Sequence, residues 1–130
     1  MARKTVQTDK APVPAGPYSQ AVISNGFVFT AGQIGINPET GKLEDGIAAQ
    51  TVMALRNLEA ILADAGAGID SIIRANLYLT DISDYSVVND IYSMRFDAPF
   101  PARSVIAVSN LPLGALFEIE TVAELKEEQY

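Results

Sequence analysis

The stretch SIIRANLYLTD, residues 71–81, alternates along its length. Ile73, Ala75, Leu77 and Leu79 fall on one side of an extended chain, and Arg74, Asn76, Tyr78 and Thr80 on the other. The apolar side suits helices packed on a sheet. The polar and aromatic side suits an interface with another chain.

Two helical patterns flank this strand. Upstream, Asp45 to Gly66 places Ala48, Val52, Leu55, Leu58, Leu62 and Ala65 at steps of three and four, with Gln50, Arg56, Asn57, Glu59 and Asp64 on the other side. Asp45 is a candidate N-cap, and Gly66 or Gly68 ends the helix. Downstream, Ser83 to Phe96 predicts a second helix, with Val87, Ile91 and Met94 or Arg95 one turn apart. Before the first helix, SQAVISNGFVFTAG holds two β-rich runs around Asn25-Gly26, a strong hairpin signal, and NPETGK (37–42) marks another turn. After the second helix, ARSVIAVSNL and LFEIETVAELK predict two strands joined as a hairpin across Leu111-Pro112-Leu113-Gly114. The expected fold class is α+β: a single domain over residues 1–130, with two helices on one face of one mixed or antiparallel sheet.

Composition narrows the chemistry. The chain carries nine basic and 16 acidic residues, a net charge of −7, and an apolar fraction of 48%. Mean hydropathy is +0.16. So apolar a small chain suggests a subunit interface, hence an oligomer. Scattered cations and a negative total argue against nucleic acid as a partner. MARKTVQTDK has no apolar core for a signal peptide, and no segment approaches the ~20 apolar residues of a membrane span, so cytoplasmic localisation is expected and no membrane partner. With no histidine and no cysteine, thiol nucleophiles, Ser-His-Asp triads and the usual zinc sites are excluded. Carboxylates, Tyr, Lys, Arg, hydroxyls and backbone groups remain, which favours a reaction of modest intrinsic barrier helped by positioning and charge.

FPARSVIAV, residues 100–108, sets an arginine at the head of an apolar run. Arg103 either snorkels to water or an acidic neighbour, or offers its planar guanidinium as a clamp for a carboxylate. If Ser104, Ile106 and Val108 meet the helices, Arg103 shares the outward face with Val105 and Ala107. Glu118 and Glu120 alternate with Phe117 and Ile119, so both point away from the core. They are either solvated strand charges or ligand groups. A hairpin turning near Pro112 puts Glu118 opposite Ala107, roughly 13 Å along the strand from Arg103 at ~3.3 Å per residue. Such a pair is suited to hold opposite ends of a small ligand and its attacking water. Tyr18, after Gly16-Pro17, is an edge-packing aromatic or a ligand contact; TAGQIG (30–35) carries two glycines without phosphate-loop spacing; Asn89 alone reads as a solvated helix residue.

The strings APVPAGPYSQAV, TAGQIGINPETG, NDIY, FPARS and EIE occur in this order across nearly the whole chain. On them the sequence resembles the RidA/YjgF family of enamine/imine deaminases. The resemblance implies a chorismate-mutase-like fold in a homotrimer, with pockets between neighbouring subunits. It implies hydrolysis of 2-imino acids or their enamine tautomers, released by pyridoxal-phosphate enzymes, to 2-keto acids and ammonia, with no cofactor and no metal. Carried over by residue, Arg103 binds the substrate carboxylate with the backbone N–H of Gly32. Glu118 holds the water with the carbonyl of Val105, Tyr18 closes the pocket from the adjoining subunit, and Asn89 lines its mouth. Ala31 stands where many members carry Ser, a lost contact worth ~0.5–1.5 kcal/mol. Val105 stands where some carry Cys, a tolerable change if only its carbonyl is used. The alternative reading is a non-catalytic trimer that binds small 2-keto or carboxylic acids. RNA cleavage, suggested by older labels on relatives, is opposed by the charge and the missing histidine.

Overall fold

The computed structural model describes residues 3–126. Met1, Ala2 and residues 127–130, the ends of the expected 1–130 domain, lie outside the described residues. The strands are β1 (Lys4–Val6), β2 (Ala21–Ser24), β3 (Phe27–Thr30), β4 (Gln33–Ile34), β5 (Ile36–Asn37), β6 (Lys42–Leu43), β7 (Ile72–Leu79), β8 (Ala102–Ala107) and β9 (Phe117–Glu124). The helices are α1 (Gly46–Ala65) and α2 (Tyr85–Arg95). Seven strands form one sheet, ordered β1-β2-β3-β9-β7-β8 with β4 also pairing with β9, while β5 and β6 make a separate two-stranded ribbon. The architecture is α+β, its main sheet antiparallel except where β8 runs parallel to β7.

Local chemistry accounts for the first half. β2 and β3 turn at Asn25 and Gly26, at φ 58° and 84°, the pair of positive values that a type I′ hairpin requires. Gly66, at φ 89°, ends α1 in the left-handed conformation. Leu55, Leu58, Ile61 and Leu62 of α1 are buried with Leu77, Leu79, Phe117 and Ile119 of the sheet in one core cluster, to which α2 adds Val88 and Tyr92. Each such aliphatic side chain contributes roughly 1.5–3 kcal/mol through burial. Among the described residues no helix is long and apolar enough to cross a membrane.

Several expectations are corrected. The last two strands do not form a hairpin: β9 lies between β3 and β7, and among the described residues β8 pairs only with β7. Inserting β9 there gives it ladder partners on both edges, whereas a terminal hairpin would leave another edge unpaired. Ile73 is exposed, because a register irregularity between Ile72 and Arg74 turns Ile72 into the core instead. On α1, Ala48 and Val52 are exposed while Gln50 and Asn57 are buried. Their amides explain why: Gln50 Oε1 accepts the Leu116 N–H at 2.8 Å, and Asn57 Nδ2 donates to the Ile36 carbonyl at 2.7 Å. Asp45 occupies the N-cap position but makes no side-chain cap bond. On α2, Val87 and Met94 face out because Val88 and Tyr92, four residues apart, take the inward face.

One break in the ladder prepares the site. β3 and β4 both pair with β9, but Ala31 and Gly32 belong to neither. The Thr30 hydroxyl patches the gap, accepting the Thr121 N–H at 2.9 Å. Gly32 is thereby set beside Glu118.

Candidate active site

Alternation along β9 puts Phe117, Ile119, Thr121 and Ala123 into the core and leaves Glu118, Glu120 and Val122 on the open face of the sheet. Tyr78 of β7 lies opposite Glu118 in register, and its hydroxyl donates to the diagonal Glu120 Oε2. That bond, with burial and the charge of Glu120 adding to it, pushes the Tyr78 phenol up to about 12. Glu120 is therefore engaged. Glu118 makes no hydrogen bond among the described residues, and burial first, then the Glu120 charge, holds its carboxyl above the usual range. Gly32, Tyr78, Val108, Asn110, Leu111 and the two glutamates line an open cavity of about 360 Å³. A carboxylate so placed accepts a hydrogen bond from water and takes a proton more readily than a solvated one.

Arg103 lies elsewhere. It sits on β8 opposite Ala75, and its Nη2 donates to the Tyr85 hydroxyl at 2.8 Å. The guanidinium carbon stands 4.7 Å from the centre of the Tyr92 ring and 5.7 Å from that of Tyr85. Asn89, Ser93, Phe100 and Pro101 complete a second cavity of about 360 Å³ around it. No carboxylate within the described residues forms an ion pair with it. An unpaired guanidinium over aromatic faces, with N–H groups to spare, is equipped to take a carboxylate.

The expected face of Arg103 is thus reversed. Val105 packs against the core and Arg103 lies over α2, while Ser104 and Ile106 share the open face with Arg74, Asn76 and Tyr78. The stem of Arg103 tolerates the helix side because Tyr85 and Tyr92 give its charge an aromatic bed. Glu118, expected opposite Ala107, stands opposite Tyr78, whose other neighbour is Ile106. Within one chain the sheet separates Arg103 from Glu118, so the two do not hold one ligand between them.

The site residues sort into two groups. Gly32 and Glu118 are together, with the half-buried Ala31 beside them; Ala31 N–H bonds to the Gln20 carbonyl at 2.8 Å, tying in the arm that carries the exposed Tyr18. Arg103 and Asn89 are together, with Val105 two residues along the strand. Sequence reasoning missed Tyr78, Tyr85 and Tyr92 as site residues. The spacing of Tyr85, Asn89 and Tyr92, four and then three residues, was the signal that they share one helix face.

Comparison with known proteins shows the family and the fold. Residues 8–125 match the family model described as Endoribonuclease L-PSP. A RutC family protein of Aquifex aeolicus is 48% identical over 122 residues, covering 92% of this chain and 98% of that protein. The 2-iminobutanoate/2-iminopropanoate deaminase of Bos taurus is 41% identical over 124 residues, covering 95% and 90%. The crystal structure of RidA from the Antarctic bacterium Psychrobacter sp. PAMC 21119 superposes with a TM-score of 0.92 at 39% identity, covering 94% of this chain and 99% of that one. With the family model spanning nearly every described residue and the fold matching end to end, the chain belongs to the RidA/YjgF family.

Proposed function

We propose that this chain hydrolyses reactive 2-imino acids and their enamine tautomers to 2-keto acids and ammonia, in pockets completed between the copies of a chorismate-mutase-like trimer. One observation carries the reading: Arg103 and Glu118, each suited to one end of such a substrate, stand on opposite faces of the sheet. A neighbouring copy supplies to each what its own chain does not. Arg103, Val105 and Asn89 of one protomer then meet Gly32, Glu118 and Tyr18 of the next. The open sheet face supports the assembly, since Phe29 and Ile106 leave 46% and 48% of their surface exposed there. A three-fold ring closes such a contact.

In this scheme Arg103 and the Gly32 N–H hold the substrate carboxylate. Glu118 and the Val105 carbonyl hold a water against the imine carbon. The water oxygen bonds to the carbon of the protonated imine as one water proton passes to Glu118, giving a neutral carbinolamine. Glu118 returns that proton to nitrogen, then takes the hydroxyl proton as the C–N bond breaks, the C=O forms and ammonia leaves. Imines are reactive enough that a positioned water and a fixed anion site suffice. The family model's ribonuclease description finds less support, as a net charge of −7 and no histidine give RNA neither a cationic face nor an imidazole.

The test couples the protein to threonine dehydratase in a stopped-flow cell and follows loss of 2-aminocrotonate and its imine. Acceleration by wild type that disappears in Arg103→Ala is the expected result. No acceleration, with 2-ketobutyrate still bound, would overturn catalysis and leave a carboxylate-binding protein.

A further inference from the structure

Resting on that reading of Arg103 as the carboxylate clamp, we propose that Tyr85 is its positioning residue: the Tyr85 hydroxyl fixes the rotation of the guanidinium so that its remaining N–H edge is presented to the substrate before the substrate arrives. An arginine near a surface has four flexible torsions, and freezing them on binding costs affinity. Here they are constrained in advance from two sides. Tyr92 is the floor, only 4% exposed and stacked on Phe96 at 3.8 Å between centres and 8° between planes. A ring packed this way has no freedom to follow a moving cation. Stacking alone, however, leaves the guanidinium free to spin in its own plane. The bond from Nη2 to the Tyr85 hydroxyl, at 2.8 Å, removes that rotation.

The geometry leaves the clamp usable. A guanidinium has five N–H donors, and the tyrosine takes one. Two parallel donors remain for a carboxylate. A hydroxyl is a neutral acceptor, so it orients the arginine without cancelling its charge, which a carboxylate in the same place would do. Tyr85 is the first residue of α2 and Tyr92 lies two turns along, so one helix carries both constraints. The tyrosine itself touches no reacting atom, and its effect belongs to binding, not to the chemical step.

Tyr85→Phe separates the hydroxyl from the ring. We expect KM for the imine, and Kd for 2-ketobutyrate by calorimetry, to rise about three- to tenfold, the net range of one ordinary hydrogen bond, with kcat held within about twofold. In an Arg103→Lys background, which keeps a cation but has no planar N–H edge to orient, the same substitution should leave KM and the 2-ketobutyrate Kd within about twofold. A fall in kcat with KM unchanged, or an equal loss in both backgrounds, overturns the positioning role. If Arg103→Ala abolishes 2-ketobutyrate binding while Tyr85→Phe leaves Kd unmoved, this inference alone fails and the clamp stands. If Arg103→Ala binds the keto acid as well as wild type, the clamp is wrong and Tyr85 loses its role with it.

Discussion

Gly32 lies so close to the Glu118 side chain that a β-carbon built on it would stand 2.7 Å from Oε2 and 2.8 Å from the carboxyl carbon. No side chain fits there unless the carboxylate moves. Since the carboxylate is the mobile end of its side chain, Gly32→Ala should fold and melt within a few degrees of wild type. The displaced Glu118 should lower imine turnover by about tenfold or more, the scale on which misplacement of a catalytic group by an ångström acts. Unchanged turnover in a folded variant would sever Glu118 from the reaction.

Glu118 makes the pH behaviour specific. Its folded carboxyl titrates above the ordinary glutamate value, chiefly through burial and then through the Glu120 charge. As pH rises, the unfolded chain gives up this proton first, so stability is lost between the ordinary value and the folded one. Above that window the full penalty is in place. Glu118→Gln should therefore melt higher than wild type at neutral pH, an advantage that vanishes in acid below the ordinary carboxylate range. Turnover should have the opposite slope: in the proposed reaction it needs the carboxylate, so kcat should fall as pH drops through a value higher than that of a solvated glutamate. Melting curves and kcat profiles from pH 3 to 8 check both.

Shared pockets predict complementation. Arg103→Ala and Glu118→Gln should each be inactive, yet in the proposed trimer, where the two groups come from different copies, random mixing of equal amounts should leave about one pocket in four with both native groups. Co-refolding should recover about a quarter of wild-type activity. Mixed oligomers with no activity would place both groups in one chain's pocket.

The Tyr92 hydroxyl is buried with no hydrogen-bond partner among the described residues, and burial pushes its phenol up. An unsatisfied buried polar group costs about 1–3 kcal/mol. Tyr92→Phe keeps the stack on Phe96 and should stabilise the chain by about 1 kcal/mol in urea unfolding. Destabilisation would mean the hydroxyl has a partner in the assembled protein.

Short-range chemistry was legible in the sequence; choices between distant partners were not. Asn25-Gly26 and Gly66 declare their turns because few other residues accept positive φ, and the β7 alternation shows which side meets the helices. Gln50 and Asn57 looked like surface residues, since the groups that satisfy them, the Leu116 N–H and the Ile36 carbonyl, lie 66 and 21 residues away. The terminal hairpin was misjudged for a related reason. A short turn between two strands suggests pairing, and only the demand of β3 and β7 for a common partner moves β9 between them. Arg103 was given the wrong face because its strand is apolar on both sides, so alternation alone did not decide. Tyr85 and Tyr92, which make the helix side hospitable to a cation, settle it.

β9 is central in the sheet yet the last of the described strands to leave the ribosome. While it is still being made, the growing chain holds two incomplete halves, β1-β2-β3 and β7-β8, each with an open edge waiting for the same partner. Sheet closure is then a late event that joins both halves through long-range pairings, the kind that slow folding. Glu118 arrives on the closing strand itself, so a nascent chain that stops short of Phe117 lacks the carboxylate of the cavity beside Gly32.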